Sequence, residues 1–213
     1  MTYAIGRGVR VEIGLTEGAP KTVTEVTAAK PPVATSTAHG LLADSLAYFS
    51  SADGMPQLVG QAVRFSAVTT NDLTIEDLDT TLYGDFTAGA LVPISTYSTL
   101  VSSTSYNKAG GEANPLDVTV LLDEINQNEA GPLSAETVTF GGRLETIGST
   151  ALQKIRETAR VAGYLVFRVT LKDGNVRYFR GQPALPTEQL DQGQVGSYSF
   201  AVTVKQFVGW GAV

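Results

Sequence analysis

Few residues of this sequence could carry out catalysis or bind a metal ion. The chain contains one histidine, His39, and no cysteine, so neither a histidine cluster nor thiolate ligands are available for zinc. A serine triad would depend on that single imidazole as its base, and His39 precedes Gly40 in a stretch typical of a turn. We therefore expect His39 to be a turn or packing residue, and we expect no enzymatic activity and no cofactor.

Four carboxylates lie close together in the sequence and could bind calcium, which prefers oxygen ligands. Their spacing lacks the central glycine and the terminal glutamate of an EF-hand loop. A solvated loop is therefore the better interpretation, and no metal site is expected. The residues are Asp72, Glu76, Asp77 and Asp79.

Two glycine-flanked segments and two arginines complete the candidates for chemistry. Gly6-Arg7-Gly8 and Gly209-Trp210-Gly211 lack the strand-loop-helix context of a phosphate-binding loop. Trp210 is expected to pack on the core or on a neighbour. Arg156 and Arg160 lie one helical turn apart and could meet DNA or an acidic neighbour, but a solvated helix face is the simpler interpretation.

The net charge of −6 argues against a protein that wraps nucleic acid, because such proteins concentrate Lys and Arg on one surface. The charge is also unevenly placed. Residues 21–96 carry a net −5, residues 97–136 another −5, and residues 137–213 a net +4. Three blocks of different charge indicate three different surroundings.

Composition places the chain among globular β-rich proteins. Hydrophobic residues make up 43% of its 213 residues, and Gly, Thr, Ser and Val are prominent, which favours strands and turns. No apolar run approaches the roughly 20 residues that cross a bilayer, and the N-terminal residues lack the apolar stretch of a signal peptide. We expect synthesis in the cytoplasm and no membrane insertion.

The C-terminal third predicts a helix followed by a sheet. Thr150 is a candidate N-cap with Gln153 completing a capping box, apolar residues then recur at helical spacing, and Gly163 ends the helix. Three strands with period-two alternation follow, and an Asp-Gly hairpin turn joins the first two. These strands are Leu165–Leu171, Val176–Arg180 and Val195–Phe207.

Residues 21–96 predict a separate unit, because short strand candidates alternate there with turn signals at even spacing, as in a small barrel. A strand at Val9–Ile13 precedes the unit, so we interpret it as an insertion into a larger β domain formed by residues 1–20 and 97–213. Its strand candidates are Val23–Val26, Val33–Thr35, Ala47–Phe49, Ala62–Val68 and Leu73–Ile75.

Residues 97–136 form the least packable stretch. They include strand-like residues at Val118–Leu122, but too few apolar side chains for a core of their own. We predict a long loop or hairpin that is either mobile or ordered by a neighbouring chain. This segment and the N-terminal arm at Thr2–Arg10 are the candidates for contact with another chain.

This order of elements resembles the major tail tube proteins of long-tailed, siphovirus-type bacteriophages. The matching segments are Val138–Leu144, the helix Ser149–Gly163, the strand Phe167–Gly174, Tyr178–Gly181 and the strand Gly196–Val204. The resemblance implies a mainly β fold, a tail-tube-type β-sandwich or barrel with one flanking helix. It also implies stacked, hexameric rings that form a conduit for DNA delivery into the host.

The resemblance further implies location in the virion tail and a set of partners: other copies of the chain, the tape measure, tail terminator and distal tail proteins, and phage DNA in transit without specific binding. Carboxylates facing the lumen would repel phosphate. Candidate lumen-lining residues are Asp123, Glu124, Glu129 and Glu136. Candidate inter-subunit contacts are Arg7, Arg10, Leu116, Val118, Val120, Leu122 and Trp210.

Residues 25–92 separately resemble a small β module that is also found in ubiquitin-activating enzymes, without implying ubiquitin chemistry. The matching segments are Pro32–Leu41, Gly54–Gly60, Ala62–Thr69 and Tyr83–Gly89. We expect this inserted β-barrel, residues 21–96, to be a decoration that the tube could lose. The alternative function is a non-enzymatic adhesion or ligand-binding β protein that acts through this module.

Overall fold

The structure, a computed structural model, describes residues 8–118, 125, 128–144 and 149–211. Helix α1 is Thr150–Arg160, and a short 3₁₀ helix covers Pro56–Leu58. The strands are β1 Arg10–Glu17, β2 Lys21–Val23, β3 Glu25–Val26, β4 Val33–Thr35, β5 Leu46–Asp53, β6 Ala62–Val68, β7 Asp72–Ile75, β8 Ala88–Thr99, β9 Ser103–Ala109, β10 Ala113–Asp117, β11 Asn128–Leu133, β12 Thr137–Arg143, β13 Leu165–Thr170, β14 Val176–Pro183, β15 Thr187–Gln189, β16 Ser197–Val204 and β17 Gly209–Gly211.

One antiparallel sheet contains all of these strands except β10 and β11. Its order is β3-β4-β7-β6-β5-β8-β1-β13-β14-β16-β12-β9, with β2 beside β8, β15 beside β16 and β17 beside β14. Strands β10 and β11 pair only with each other within the described ranges. The predicted fold class, mainly β with one helix, is confirmed. No helix among the described residues has the length and apolar character that crossing a bilayer requires.

The sheet curls around a first hydrophobic core. Strands β1, β13 and β14 face β16 and β12 across this core, because their alternate side chains point inward. Phe167 stacks on Phe179 and on Phe140, with ring centroids 5.2 and 5.7 Å apart. Helix α1 covers the core with Leu152 and Ile155. The result is a half-barrel whose concave side is filled.

Helix α1 begins and ends close to the predicted positions, with two corrections. The N-cap is Ser149, not Thr150, because the Ser149 hydroxyl accepts a 3.2 Å hydrogen bond from the Leu152 amide. At the other end, Ala162 has the left-handed conformation, with φ of 51°. The amide of Gly163 then donates to the Thr158 carbonyl, which is a Schellman ending with alanine at the position that glycine usually occupies.

Residues 23–91 enclose a second core. Its buried side chains come from β2 to β8 and include Phe49, Phe65 and Leu73. Strands β4 and β6 match their predicted bounds. Strand β8 was missed, since Gly89 and Pro93 weaken its strand pattern, yet it pairs with both β5 and β1 and so joins the two regions.

A third cluster lies between the two regions. Val166, Val176 and Tyr178 belong to the convex face of the first half-barrel, and they pack against Leu46 and Tyr48 of the 21–96 module. All five are buried within the chain. The module therefore packs against the convex face of the half-barrel.

Candidate assembly surfaces

The hairpin of β10 and β11 projects from the rest of the chain. Every residue of β10 is exposed, and in β11 only Gly131 is half-buried. Leu116 and Leu133 are 52% and 57% exposed. A two-stranded hairpin with no hydrophobic core is at best marginally stable in water. The exposed leucines of this hairpin, strands β10 and β11, are available for contact with another chain.

Strands β9 and β15 each have an open edge. Among the residues that the structure describes, β9 pairs only with β12, and β15 pairs only with β16. Their free sides present unpaired amides and carbonyls, which are a template for pairing with another chain. The two edges lie on opposite sides of the β12-β16 pair, and the β15 edge is short because β14 pairs with the later residues of β16 on the same side.

The predicted inter-subunit residues have varied surroundings. The Arg10 guanidinium is exposed and lies 2.5 Å from the Glu12 carboxylate. Trp210 is half exposed, with the Arg177 guanidinium 3.2 Å from its ring centroid. Leu116 and Val118 are exposed at the hairpin. Arg7, Val120 and Leu122 lie outside the described residues, so the predicted Val118–Leu122 strand is described only at Val118, which follows the end of β10.

Glu136, a predicted lumen residue, is buried at 9% exposure. Its Oε1 lies 2.6 Å from Lys108 Nζ, and its Oε2 accepts a 3.0 Å hydrogen bond from the Val208 amide. These contacts hold β9, β12 and the C-terminal segment together. A carboxylate enclosed in this way is suited to a structural role and poorly placed to face DNA.

The other predicted lumen residues are less constrained. Glu129 is exposed on β11, where it pairs in register with Leu116. Asp123 and Glu124 lie outside the described residues. A role in the lumen stays a prediction for these three.

The four carboxylates at positions 72–79 serve separate contacts. Asp72 accepts from Thr35, Glu76 pairs with Arg64, Asp77 accepts a 2.9 Å bond from the Trp210 amide, and Asp79 pairs with Lys30 at 3.3 Å. Within the described ranges no three or more acidic, His or Cys side chains converge on a point that could hold a metal ion. His39 is buried and its Nδ1 accepts from the Leu41 amide, which closes a turn as predicted.

A polar seam joins the module to the convex face of the half-barrel. Arg64 is 3% exposed and lies between Glu76 and Asp44, 2.5 Å from the Asp44 carboxylate. The Tyr178 hydroxyl donates a 2.9 Å hydrogen bond to the Glu76 carbonyl. Burial, together with the carboxylates of Asp77 and Glu76, raises the pKa of Tyr178 well above its ordinary value.

The open edges were missed at the level of sequence. Strand β9 is rich in Ser and Thr and has few apolar residues, which made it part of the least packable stretch. Its strand signal was weak, because Thr104 is its one β-branched residue and Tyr106 its one aromatic residue. Strand β15 is only three residues long, and no periodicity can be measured over so short a segment.

A mainly β chain with open strand edges, a projecting hairpin and a single histidine that closes a turn is typical of a structural subunit. A family model described as "Phage tail tube protein, TTP" matches residues 53–206, more than two thirds of the chain. The chain therefore belongs to the phage tail tube protein family. It is a structural component of a virion tail and not an enzyme.

Two solved structures are also similar to the chain. One is from the tail of an empty GTA particle with C6 symmetry, at 13% identity and a TM-score of 0.46, covering 55% of this chain and 88% of that chain. The other is from the virion of a native gene transfer agent particle, at 13% identity and a TM-score of 0.45, covering 55% of this chain and 89% of that chain. No curated protein matches the chain.

Proposed function

We propose that this chain assembles into stacked rings, six copies to a ring, and that the stacked rings form the conduit through which phage DNA enters the host. Membership of the tail tube family supports this function. The observation that carries it is the pair of open edges at β9 and β15, which lie on opposite sides of the β12-β16 pair.

Edge pairing between neighbouring copies explains how a ring closes. The β9 edge of one copy pairs with the β15 edge of the next, so each subunit uses two different surfaces. Such heterologous contacts generate rings when the rotation closes. Closure also removes open edges that would otherwise invite aggregation.

Stacking of the rings is the proposed task of the hairpin, residues 113–133. It lies outside the large sheet and exposes Leu116 and Leu133, which a subunit of the adjacent ring would bury. Because each leucine is already about half buried, burial of the remaining surface of both provides about 1.5 to 3 kcal/mol per subunit before the cost of ordering the hairpin. The tape measure, tail terminator and distal tail proteins are the proposed partners inside the tube and at its ends.

Electron microscopy of the purified chain tests the assembly. The wild-type chain should give tubes of uniform diameter, and the double variant Leu116→Ser, Leu133→Ser should give rings or short stacks. The matched control changes two exposed leucines of the module, Leu42→Ser and Leu82→Ser, and should leave tube length unchanged.

A second variant for the same experiment deletes the hairpin and replaces residues 112–133 by an Asn-Gly turn. A short turn can join the two ends because the Gly111 amide donates a 3.2 Å hydrogen bond to the Ser134 carbonyl. Rings without tubes are the expected product. A wild-type chain that remains monomeric at high concentration would contradict the proposal, as would long tubes from the turn variant.

A further inference from the structure

A cleft of about 390 Å³ opens where the module meets the half-barrel. Its walls come from the residues that follow β7, from the turn before β14, from β14 itself and from β17. Sites for small molecules usually enclose about 300 to 1,000 Å³ and are common at the boundary between two structural units. The lining residues are Glu76, Asp77, Asn175, Arg177, Trp210 and Gly211.

Trp210 presents one face of its indole ring to this cleft. The side chain is 51% exposed, and the Arg177 guanidinium covers one face at 3.2 Å from the ring centroid, so the opposite face is the open one. The ring is held in place by two backbone contacts. Trp210 pairs in register with Arg177 of β14, and its amide donates a 2.9 Å hydrogen bond to the Asp77 carboxylate. Trp210 is therefore a fixed apolar platform.

Hydrogen-bonding groups of both kinds surround the platform. The Trp210 amide occupies Oδ2 of Asp77, and the second carboxylate oxygen is a further acceptor. The side-chain amide nitrogen of Asn175 donates a 2.7 Å bond to Asp173, which leaves the Asn175 side-chain oxygen as an acceptor. A guanidinium stacked on a ring keeps its N–H donors in its own plane, so Arg177 supplies donors at the same place.

The mixture of charges selects against several classes of ligand. An anion would meet the carboxylates of Asp77 and Glu76, and a cation would meet the Arg177 guanidinium. An apolar molecule would cover these polar groups without replacing their hydrogen bonds with water, which is costly. A neutral polyol avoids all three problems, because each hydroxyl both donates and accepts. The C–H face of a sugar ring is in addition an apolar surface that can pack on indole.

From this arrangement we propose that the cleft binds a neutral saccharide. A sugar ring stacks on the open face of Trp210, and its hydroxyls exchange hydrogen bonds with Asp77, Asn175 and Arg177. All of these groups belong to one chain, so the inference does not depend on the proposed ring assembly.

Trp210 also provides the measurement, because it is the single tryptophan of the sequence. Its fluorescence is followed during titration of the purified chain with neutral oligosaccharides of glucose, galactose, mannose, rhamnose and N-acetylglucosamine. At least one sugar should shift the emission to shorter wavelength and saturate at millimolar concentration, because the ring then leaves water. Saturation-transfer NMR of the same sugar gives a second measurement of contact that needs no tryptophan signal.

Variants assign the binding to the cleft. Asp77→Asn keeps an oxygen for the Trp210 amide, and it should lower the affinity about tenfold, as should Arg177→Gln, because each loses a hydrogen bond to a charged group. Arg160→Gln removes the same charge from an exposed position on α1 and should leave the affinity unchanged. Trp210→Ala should abolish the NMR signal. Trp210→Phe keeps an aromatic face and should retain weakened binding, so it tests the stacking if the alanine variant does not fold.

Three results would overturn the inference. One is the absence of a response to every sugar, including the case in which the emission shifts only when tubes assemble, since Trp210 would then be a subunit contact. Another is sugar binding that survives unchanged in the Trp210 variants. The third is a response to inorganic phosphate or calcium chloride, used as charged comparison probes, without a response to sugar.

Discussion

The hydroxyl of Tyr178 donates a 2.9 Å hydrogen bond to the backbone carbonyl of Glu76. Tyr178 lies on β14 of the half-barrel, and Glu76 follows β7 of the module, so this bond crosses the boundary between the two regions. The ring of Tyr178 is 2% exposed and belongs to the third cluster. Polar and apolar contacts therefore join the module to the half-barrel at the same residue.

Tyr178→Phe should lower the free energy of unfolding of the isolated subunit by about 1 kcal/mol at neutral pH, the usual value of one buried hydrogen bond. The variant should also change the response to alkaline pH. Burial raises the pKa of Tyr178 in the folded chain above the ordinary tyrosine value of about 10. Near pH 10 the tyrosine therefore ionises in the unfolded chain and not in the folded one, and this begins to favour unfolding.

The stability contribution of Tyr178 is fully present below that pH. Above it, the contribution falls by up to about 1.4 kcal/mol per pH unit until the folded-state pKa is reached. Urea unfolding at pH 8 to about 11 should show a shallower decline for Tyr178→Phe than for the wild type. Equal slopes for the two proteins would contradict this account.

Ala162→Gly should stabilise the subunit. A left-handed conformation costs an L-residue about 1 to 2 kcal/mol, and glycine regains most of this at an entropic cost of about 0.4 to 1 kcal/mol. We expect a net gain of about 0.5 to 1 kcal/mol. Ala159→Gly, inside α1, is the matched control and should destabilise by a similar amount. Thermal unfolding of both variants checks the opposite signs.

Glu136→Ala should destabilise the subunit by about 2 to 4 kcal/mol, because it leaves the Val208 amide and the Lys108 ammonium without their acceptor. Glu129→Ala, on the exposed hairpin, should change the stability by less than about 0.5 kcal/mol. Chemical denaturation of both variants measures these two changes in the free energy of unfolding. The sequence had predicted a lumen position for both Glu136 and Glu129. A Glu136→Ala chain as stable as the wild type would show that the carboxylate has no structural role.

Removal of the module should leave a chain that aggregates. Gly18 and Pro93 are joined by a 2.7 Å backbone hydrogen bond, so residues 19–92 can be replaced by a short glycine turn. The shortened chain exposes Val166, Val176 and Tyr178, and each loses about 1.5 to 3 kcal/mol of burial.

The substitutions Val166→Thr, Val176→Thr and Tyr178→Lys should restore solubility to the shortened chain. Threonine and lysine suit a sheet face that is exposed to solvent. Size-exclusion chromatography compares the two forms. A soluble, tube-forming shortened chain without these substitutions would support the decoration that the sequence predicted.

Thr139→Lys should make assembled tubes retain DNA. Thr139 is exposed on β12, and one added cation per subunit at that position of the proposed conduit attracts phosphate, so the amount of bound linear duplex should fall steeply with salt. DNA held in the lumen should resist nuclease, whereas DNA bound to the outer surface by Ser66→Lys tubes should be digested. Thr139→Gln is the neutral control. Retained DNA that the nuclease removes from Thr139→Lys tubes would place position 139 outside.

Local patterns were predicted well because they depend on neighbours in the sequence. The helix was placed to within a residue at its start, since its apolar spacing and a capping hydroxyl are both local features. The alternation of β16 was also predicted, because residue 198 and every second residue after it are apolar. Strand β8 and strand β9 were not, because their stability comes from partners distant in the sequence, such as β1 and β12.

By itself, the sequence determined that the chain is β-rich, that it contains one amphipathic helix, and that β12 and β16 each have a polar and an apolar face. Only the tertiary structure decided which strands lie side by side. Long-range pairing placed the polar faces of β12 and β16 side by side, enclosed Glu136 inside the chain and packed the module against β13 and β14. The physical reason is that alternation along a strand is a local property, which determines the side chains that share one face of that strand. Which other strands lie beside it depends on pairing between segments that are distant in the sequence.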